Sequence, residues 1–128
     1  MAQILLIEPD FILTNLYKTG LETVGHKVVT VTSAQSAISA ADKVRPEVVI
    51  LELQLIDHSG IEFLYEFRSY PEWQDIPALV LSTIPMAEFS GSHDLLVSEL
   101  GVRSYHYKPR TSITNLLASV EQATRILA

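Results

Sequence analysis

Four polar residues stand at the ends of apolar runs. Glu8 closes "QILLIE", Glu52 closes "VVILE", Ser82 closes "ALVLS", and Lys108 follows "SYHY". Carboxylates, a hydroxyl and an ammonium can move protons, hold a cation or take part in group transfer. A carboxylate at the end of a buried run must be wetted or paired, because an unpaired buried charge is costly. Glu8 and Glu52 therefore each require water or a cation, and Lys108 is the candidate cation. Asp10, two residues after Glu8, adds a third acid. Any one of these residues alone could simply mark where a buried strand ends. Four at corresponding strand ends define a site if the fold gathers those ends on one edge.

The pattern of elements predicts that it does. "QILLI" (3–7), "KVVTV" (27–31), "EVVIL" (47–51), "ALVLS" (78–82) and "SYHY" (104–107) are expected strands, the first four apolar enough for burial on both faces. Helical stripes lie between them. Leu13, Leu16, Tyr17, Leu21 and Val24 form the first, which Gly25 ends. Ser33 can cap a second helix whose inner face is Ala34, Ala37, Ile38, Ala41 and Val44. A third helix is expected from Ser59 to about Ser69, with Leu64 and Phe67 inward. Ser90-Gly91-Ser92 weakens the fourth, predicting a late start near Ser92 or a frayed first half. The fifth runs from Ser112 to Leu127, with Ile113, Leu116, Leu117, Val120 and Leu127 on one side. Pro46 and Pro77 each precede a strand, where a missing amide proton is harmless.

Strict strand–helix alternation with short connections predicts an α/β fold: a five-stranded parallel sheet, order 2-1-3-4-5, with helices on both faces. Residues 1–128 are expected to form a single domain, because 128 residues and 48% hydrophobic content suit one core. In such sheets ligands bind beyond the carboxyl ends of the strands, where the four polar residues lie.

Several functions are disfavoured. There is no cysteine, so disulfides and thiolate metal sites are excluded. His26, His58, His93 and His106 are dispersed, without the spacing of zinc ligands. The net charge is −6 and the nine Lys and Arg residues are scattered, so no nucleic-acid surface is expected. The first turn, "EPDFIL", carries acids and a proline where a phosphate cradle needs glycines, which disfavours flavin and dinucleotide sites. No apolar run approaches the length of a membrane span, and no secretory leader is legible. A cytoplasmic location, away from membranes, is the expectation. Trp73, in "YPEWQDIP", is expected to cover the bottom of the core.

With these residues in view, the chain resembles a receiver domain of two-component response regulators from about Gln3 to Leu127. "ILLIEPD" resembles the acidic first-strand motif, and "PEVVILELQLIDHSGIEFL" the phosphoacceptor strand and loop. "IPALVLST" resembles the fourth strand with its switch hydroxyl, and "GVRSYHYKP" the fifth with its Lys-Pro. The resemblance implies phosphoryl transfer to an aspartate assisted by magnesium. It places Glu8 at the first acid, Glu52 at the phosphoacceptor position, Ser82 at the switch hydroxyl, Tyr105 at the switch aromatic and Lys108 at the lysine. In that family the bond matching Lys108–Pro109 is commonly cis, whereas from sequence alone an X-Pro bond is cis in only about 5% of cases.

Two positions depart from the pattern. The second acid falls on Pro9, and the phosphoacceptor is Glu52 rather than aspartate. Ile56, before Asp57, also stands where the family usually has proline. Any magnesium site built from Glu8 and Glu52 is therefore expected to be weak or absent, with Asp10 a partial substitute. An atypical receiver, or pseudo-receiver, needing no cofactor is the resulting expectation, with a Glu52–Lys108 ion pair holding the site.

Three functions follow from these residues. The first is a phosphorylation-independent module of a two-component or phosphorelay pathway. It would act on a protein partner, a histidine kinase or a downstream effector, and could form a homodimer through the fourth helix, fifth strand and fifth helix. Tyr105, Tyr107 and Arg103 would lie on that face, although ordinary strand packing accounts equally for the tyrosines. The second is a receiver that still accepts phosphate on Asp57, Asp10 or a tolerant Glu52. The third is a small enzyme using Glu8, Glu52 and Lys108 as acid–base groups, which a deep apolar pocket at that edge would favour.

Overall fold

The computed structural model describes residues 2–55, 59–88 and 94–127, with side chains of the last helix described as far as Thr124. The elements are β1 (Gln3–Ile7), α1 (Phe11–Thr23), β2 (Lys27–Val31), α2 (Ala34–Lys43), β3 (Val48–Leu51), α3 (Gly60–Arg68), β4 (Ala78–Ser82), β5 (Val102–Tyr107) and α4 (Ile113–Leu127). A π-helical turn, Leu95–Glu99, precedes β5, and short 3-10 turns follow α3 and β5. The five strands form one parallel sheet in the order β2-β1-β3-β4-β5.

Alternation along the strands divides the core in two. Leu5, Ile7, Val49, Leu51, Ala78 and Val80 face α2 and α3. Ile4, Leu6, Val48, Ile50, Leu79 and Leu81 face α1 and α4, meeting Tyr17, Leu21, Leu116 and Val120. Burial of both faces explains why β1, β3 and β4 are unbroken apolar runs. β2, an edge strand, is only half-buried, contrary to the expectation for "KVVTV". Phe67 stacks on Trp73 with ring centroids 4.9 Å apart, and Trp73 is buried against this core.

Helix ends follow their side chains. Asp10, Ser33 and Ser59 cap α1, α2 and α3, each accepting from the amide three residues on. Gly25, with φ of 96°, closes the turn after α1. Leu16, Val24 and Val44 of the expected inner faces are exposed instead. Arg68 is a half-buried clamp that sequence periodicity did not single out. Its Nε donates to the Leu100 carbonyl at 2.9 Å and its Nη1 to that of Trp73 at 2.7 Å. No cis peptide bond occurs among the described residues, so Lys108–Pro109 is trans, not cis. The expectations for Ser90-Gly91-Ser92, Asp57, His58 and His93 fall outside the described residues.

Gly60 sits where the chain re-enters after the β3 loop. A Cβ there would come within 2.8 Å of both the Glu52 carbonyl and Leu53 Cα, and neither backbone atom can step aside. Gly60→Ala is therefore expected to cost about 1–3 kcal/mol, as overpacking does, read as a lower urea midpoint. An unchanged midpoint would show that this junction has slack.

Candidate functional site

The register of the sheet builds the site. Ile7 pairs with Leu51, so the next residues, Glu8 and Glu52, emerge side by side from neighbouring strands. Ser82 ends β4, and Lys108 follows β5 directly. All four side chains meet at the carboxyl edge, and Glu8, Glu52 and Ser82 are buried, at 1%, 3% and 0% exposure.

Lys108 bridges the acids. Its Nζ lies 2.6 Å from Glu8 Oε1 and 2.8 Å from Glu52 Oε1. The Asp10 amide donates to Glu8 Oε2 at 3.1 Å. Glu52 Oε1 also accepts from the Thr83 amide, and Oε2 accepts from the Gln54 amide, both at 3.1 Å. The Ser82 hydroxyl donates to Glu52 Oε2 as well. Every oxygen of the two carboxylates thus has at least one donor, and the surplus negative charge is spread over backbone dipoles. Burial alone would raise the Glu52 carboxyl, but hydrogen bonds from Lys108, Ser82 and the Gln54 amide hold it below its ordinary value. Burial likewise pulls the Lys108 ammonium down, and the two carboxylates hold it above its ordinary value.

A hydrogen-bonded path leaves this cluster towards β5. The Ile84 amide donates to Ser82 Oγ at 3.1 Å, and the Tyr105 hydroxyl donates to the Ile84 carbonyl at 2.5 Å. Thr83 Oγ1 donates to Gln54 Oε1 at 3.0 Å, tying the β4 and β3 ends together outside the pocket. Gln54 was not foreseen, and Thr83 reads from sequence only as part of the fourth-strand end in "IPALVLST". Their contribution to Glu52 is through backbone amides, which carry no residue-type signal.

Asp10 is not brought into the pocket. It is exposed, and its Oδ1 accepts from the Leu13 amide at 2.9 Å as the cap of α1. The helix thus claims this carboxylate, and Pro9 beside it offers no side-chain oxygen. Among the described residues, no group of three or more His, Cys, Asp or Glu side chains is placed to hold a metal ion. His26 accepts from the Ala2 amide and His106 pairs with Ser104, both away from the acids.

The fold and this edge define a doubly wound α/β module with an acidic pocket closed by lysine. The family model of the response regulator receiver domain matches residues 4–120, and the chain belongs to that family. It is 29% identical over 109 residues to the KDP operon transcriptional regulatory protein KdpE of Escherichia coli K12, covering 85% of this chain and 45% of that protein. It is 30% identical over 125 residues to the transcriptional regulatory protein KdpE of Mycobacterium tuberculosis H37Rv, covering 98% and 52%. The chain thus spans about half the length of these curated relatives. The fold is shared with chemotaxis response regulator CheY4 of Vibrio cholerae, at TM-score 0.84 and 22% identity over 96% of this chain and 98% of that one. A sensor protein from Polaromonas sp. JS666 gives TM-score 0.86 and 24% identity over 98% of both chains. Receiver domains are signalling modules, and no helix among the described residues is long and apolar enough to cross a membrane.

Proposed function

We propose that this chain is a receiver module held in one state by Glu52, and that it signals by protein contact rather than through an aspartyl phosphate. The observation that carries this reading is the completed pocket, in which Lys108 and Ser82 are both already committed to the Glu52 carboxylate. A phosphoryl group would need the same donors. Glutamate's additional methylene extends its carboxylate by about 1.5 Å into the space such a group would fill.

The residues do not suit magnesium, which demands near-octahedral oxygen coordination. Pro9 supplies no side-chain oxygen, Asp10 caps a helix, and the ammonium lies between the two carboxylates that remain. The module is accordingly metal-independent. A cavity of about 660 Å³ is lined by α2, α3, Tyr70 and Trp73, and none of Glu8, Glu52 or Lys108 borders it.

The partner is a protein, either a histidine kinase or a downstream effector. Phe11 and Ile12, each 77% exposed, stand on the first turn of α1 just after the pocket strand and offer an apolar contact there. Met86, Val97 and Tyr105 border a second shallow cavity beside β5, which suits an effector or a second copy. The KdpE relatives are transcriptional regulatory proteins, and this chain's part in such a pathway is signal input without its own nucleic-acid contact.

Incubation with magnesium and acetyl phosphate tests the reading, with intact mass and Trp73 fluorescence as readouts. No phosphate-sized mass gain and no magnesium response are expected. A stable gain located on one acidic residue would overturn the fixed state and restore a working phosphoacceptor.

A further inference from the structure

The cavity of about 660 Å³ lies between α2 and α3 and belongs to neither the acidic pocket nor the β5 face. We infer that it is a binding site for a small organic cation, a guanidinium or ammonium group carried on a short aliphatic stem. Its volume falls within the usual range for small-molecule pockets.

The chemistry comes from both helices. Ile38, Ser39 and Asp42 line it from one face of α2, at helical spacing, and Glu66 lines it from α3. Tyr70 and Trp73 complete it, their rings 4.7 Å apart and tilted by 52°. One side of Trp73 is taken by Phe67, so the half-buried Tyr70 ring provides the open aromatic surface. Ile38 and the rings suit an aliphatic stem. The carboxylates of Asp42 and Glu66 suit its charge, and aromatic faces attract cations.

Nothing in the groove already neutralises those acids. No described residue lining it is basic, and neither carboxylate has an ion-pair partner among the described residues. Two cations of these elements bond elsewhere: Arg68 to backbone carbonyls, and Arg45 to the Glu72 carbonyl at 3.1 Å. Asp42 and Glu66 also stand in the last turns of their helices, where the dipole ends add further negative potential. An anion would meet repulsion on both walls.

Trp73, the chain's one tryptophan, is a built-in reporter. The native chain is titrated with agmatine and, separately, with N-butylurea, an uncharged molecule of similar length. Agmatine is expected to change Trp73 fluorescence saturably at about millimolar concentration. N-butylurea should give no saturable change. The charge-neutral variant Asp42→Asn/Glu66→Gln is expected to bind agmatine at least about tenfold more weakly. Both positions are exposed, so the thermal midpoint should stay close to that of the native chain. Ser39→Lys, which tethers a competing ammonium in the groove, should abolish the response. An unsaturable signal, an equal response in either variant, or the same change from sodium chloride at matched ionic strength would overturn the site.

Discussion

Lys108→Met is expected to destabilise the chain by about 3–5 kcal/mol at neutral pH, the usual consequence of removing one partner from a buried ionic cluster. The lysine is the cation between two carboxylates that are almost wholly shielded from water. Without it, Glu8 and Glu52 face one another with only backbone amides and one hydroxyl in compensation. The pH dependence distinguishes this loss from a simple packing defect. In the native chain the Glu52 carboxyl lies below its ordinary value of 4.5. Its contribution to stability is therefore complete above that value and lost as pH falls through the folded one. Lys108 lies above its ordinary value of 10.5, so its contribution is complete below that value and lost as pH rises through the folded one. Between these limits the native pocket adds a constant term. Without the lysine, the Glu52 carboxyl is expected to lie higher than in the native chain, because one of the groups that lower it is gone while its burial remains. The variant's deficit should therefore shrink as pH falls towards the ordinary carboxyl value of 4.5. Urea unfolding across pH 4–8 measures both quantities. A deficit that stays constant across that range would show that the ion pairs do not govern the pocket.

The second large effect is a gain. Pro9→Asp combined with Glu52→Asp is expected to accept phosphate from acetyl phosphate and magnesium at least about 10²-fold faster than the native chain. Misplacing a reacting atom by an ångström costs about that much. Shortening residue 52 withdraws its carboxylate and frees the donors of Ser82, Thr83 and Gln54 for an incoming anion. Aspartate at 9 adds a carboxylate beside Glu8, supplying the oxygen ligand that magnesium lacks. Each single change should do less, since one repairs only the acceptor and the other only the cation site. Continued inertness of the double variant would place the obstacle outside these two positions, in the loop that follows β3.

The strands and their order were legible because a sheet covered on both faces demands apolar runs that nothing else in the chain imitates. β1, β2 and β4 begin and end where the sequence predicts. β5 starts at Val102, two residues early: the charge of Arg103 breaks the apolar run, and the register shifts there, pairing Val102 with Ala78 and Ser104 with Leu79. Helical periodicity was a coarser guide. It placed Leu16 inward, yet Thr14 is buried there, its hydroxyl bonded to the Glu8 and Asp10 carbonyls. The helix expected to start late near Ser92 is represented among the described residues by the π-helical turn at Leu95–Glu99, whose π type carried no residue signal.

The convergence of Glu8, Glu52, Ser82 and Lys108 was legible from their position at strand ends. The fate of Asp10 was not. An acid two residues after a strand can turn towards the pocket or back to cap the next helix. Residue type does not choose between them; the unsatisfied amide of Leu13 does. Backbone donors are similarly silent in sequence, although Thr83 and Gln54 supply two of the bonds that fix Glu52.

The anion in this pocket is attached to the chain by its own side chain. A tethered group sits at an effective concentration set by geometry alone, independent of any donor in solution. On the proposed reading, neither a kinase nor a phosphatase would alter how often the Ser82–Ile84–Tyr105 path is engaged, because its occupancy would be fixed at synthesis. The variable left to such a module is its copy number relative to its partner's. Its information would be carried by stoichiometry, and its response time would be that of production and removal rather than of phosphoryl exchange.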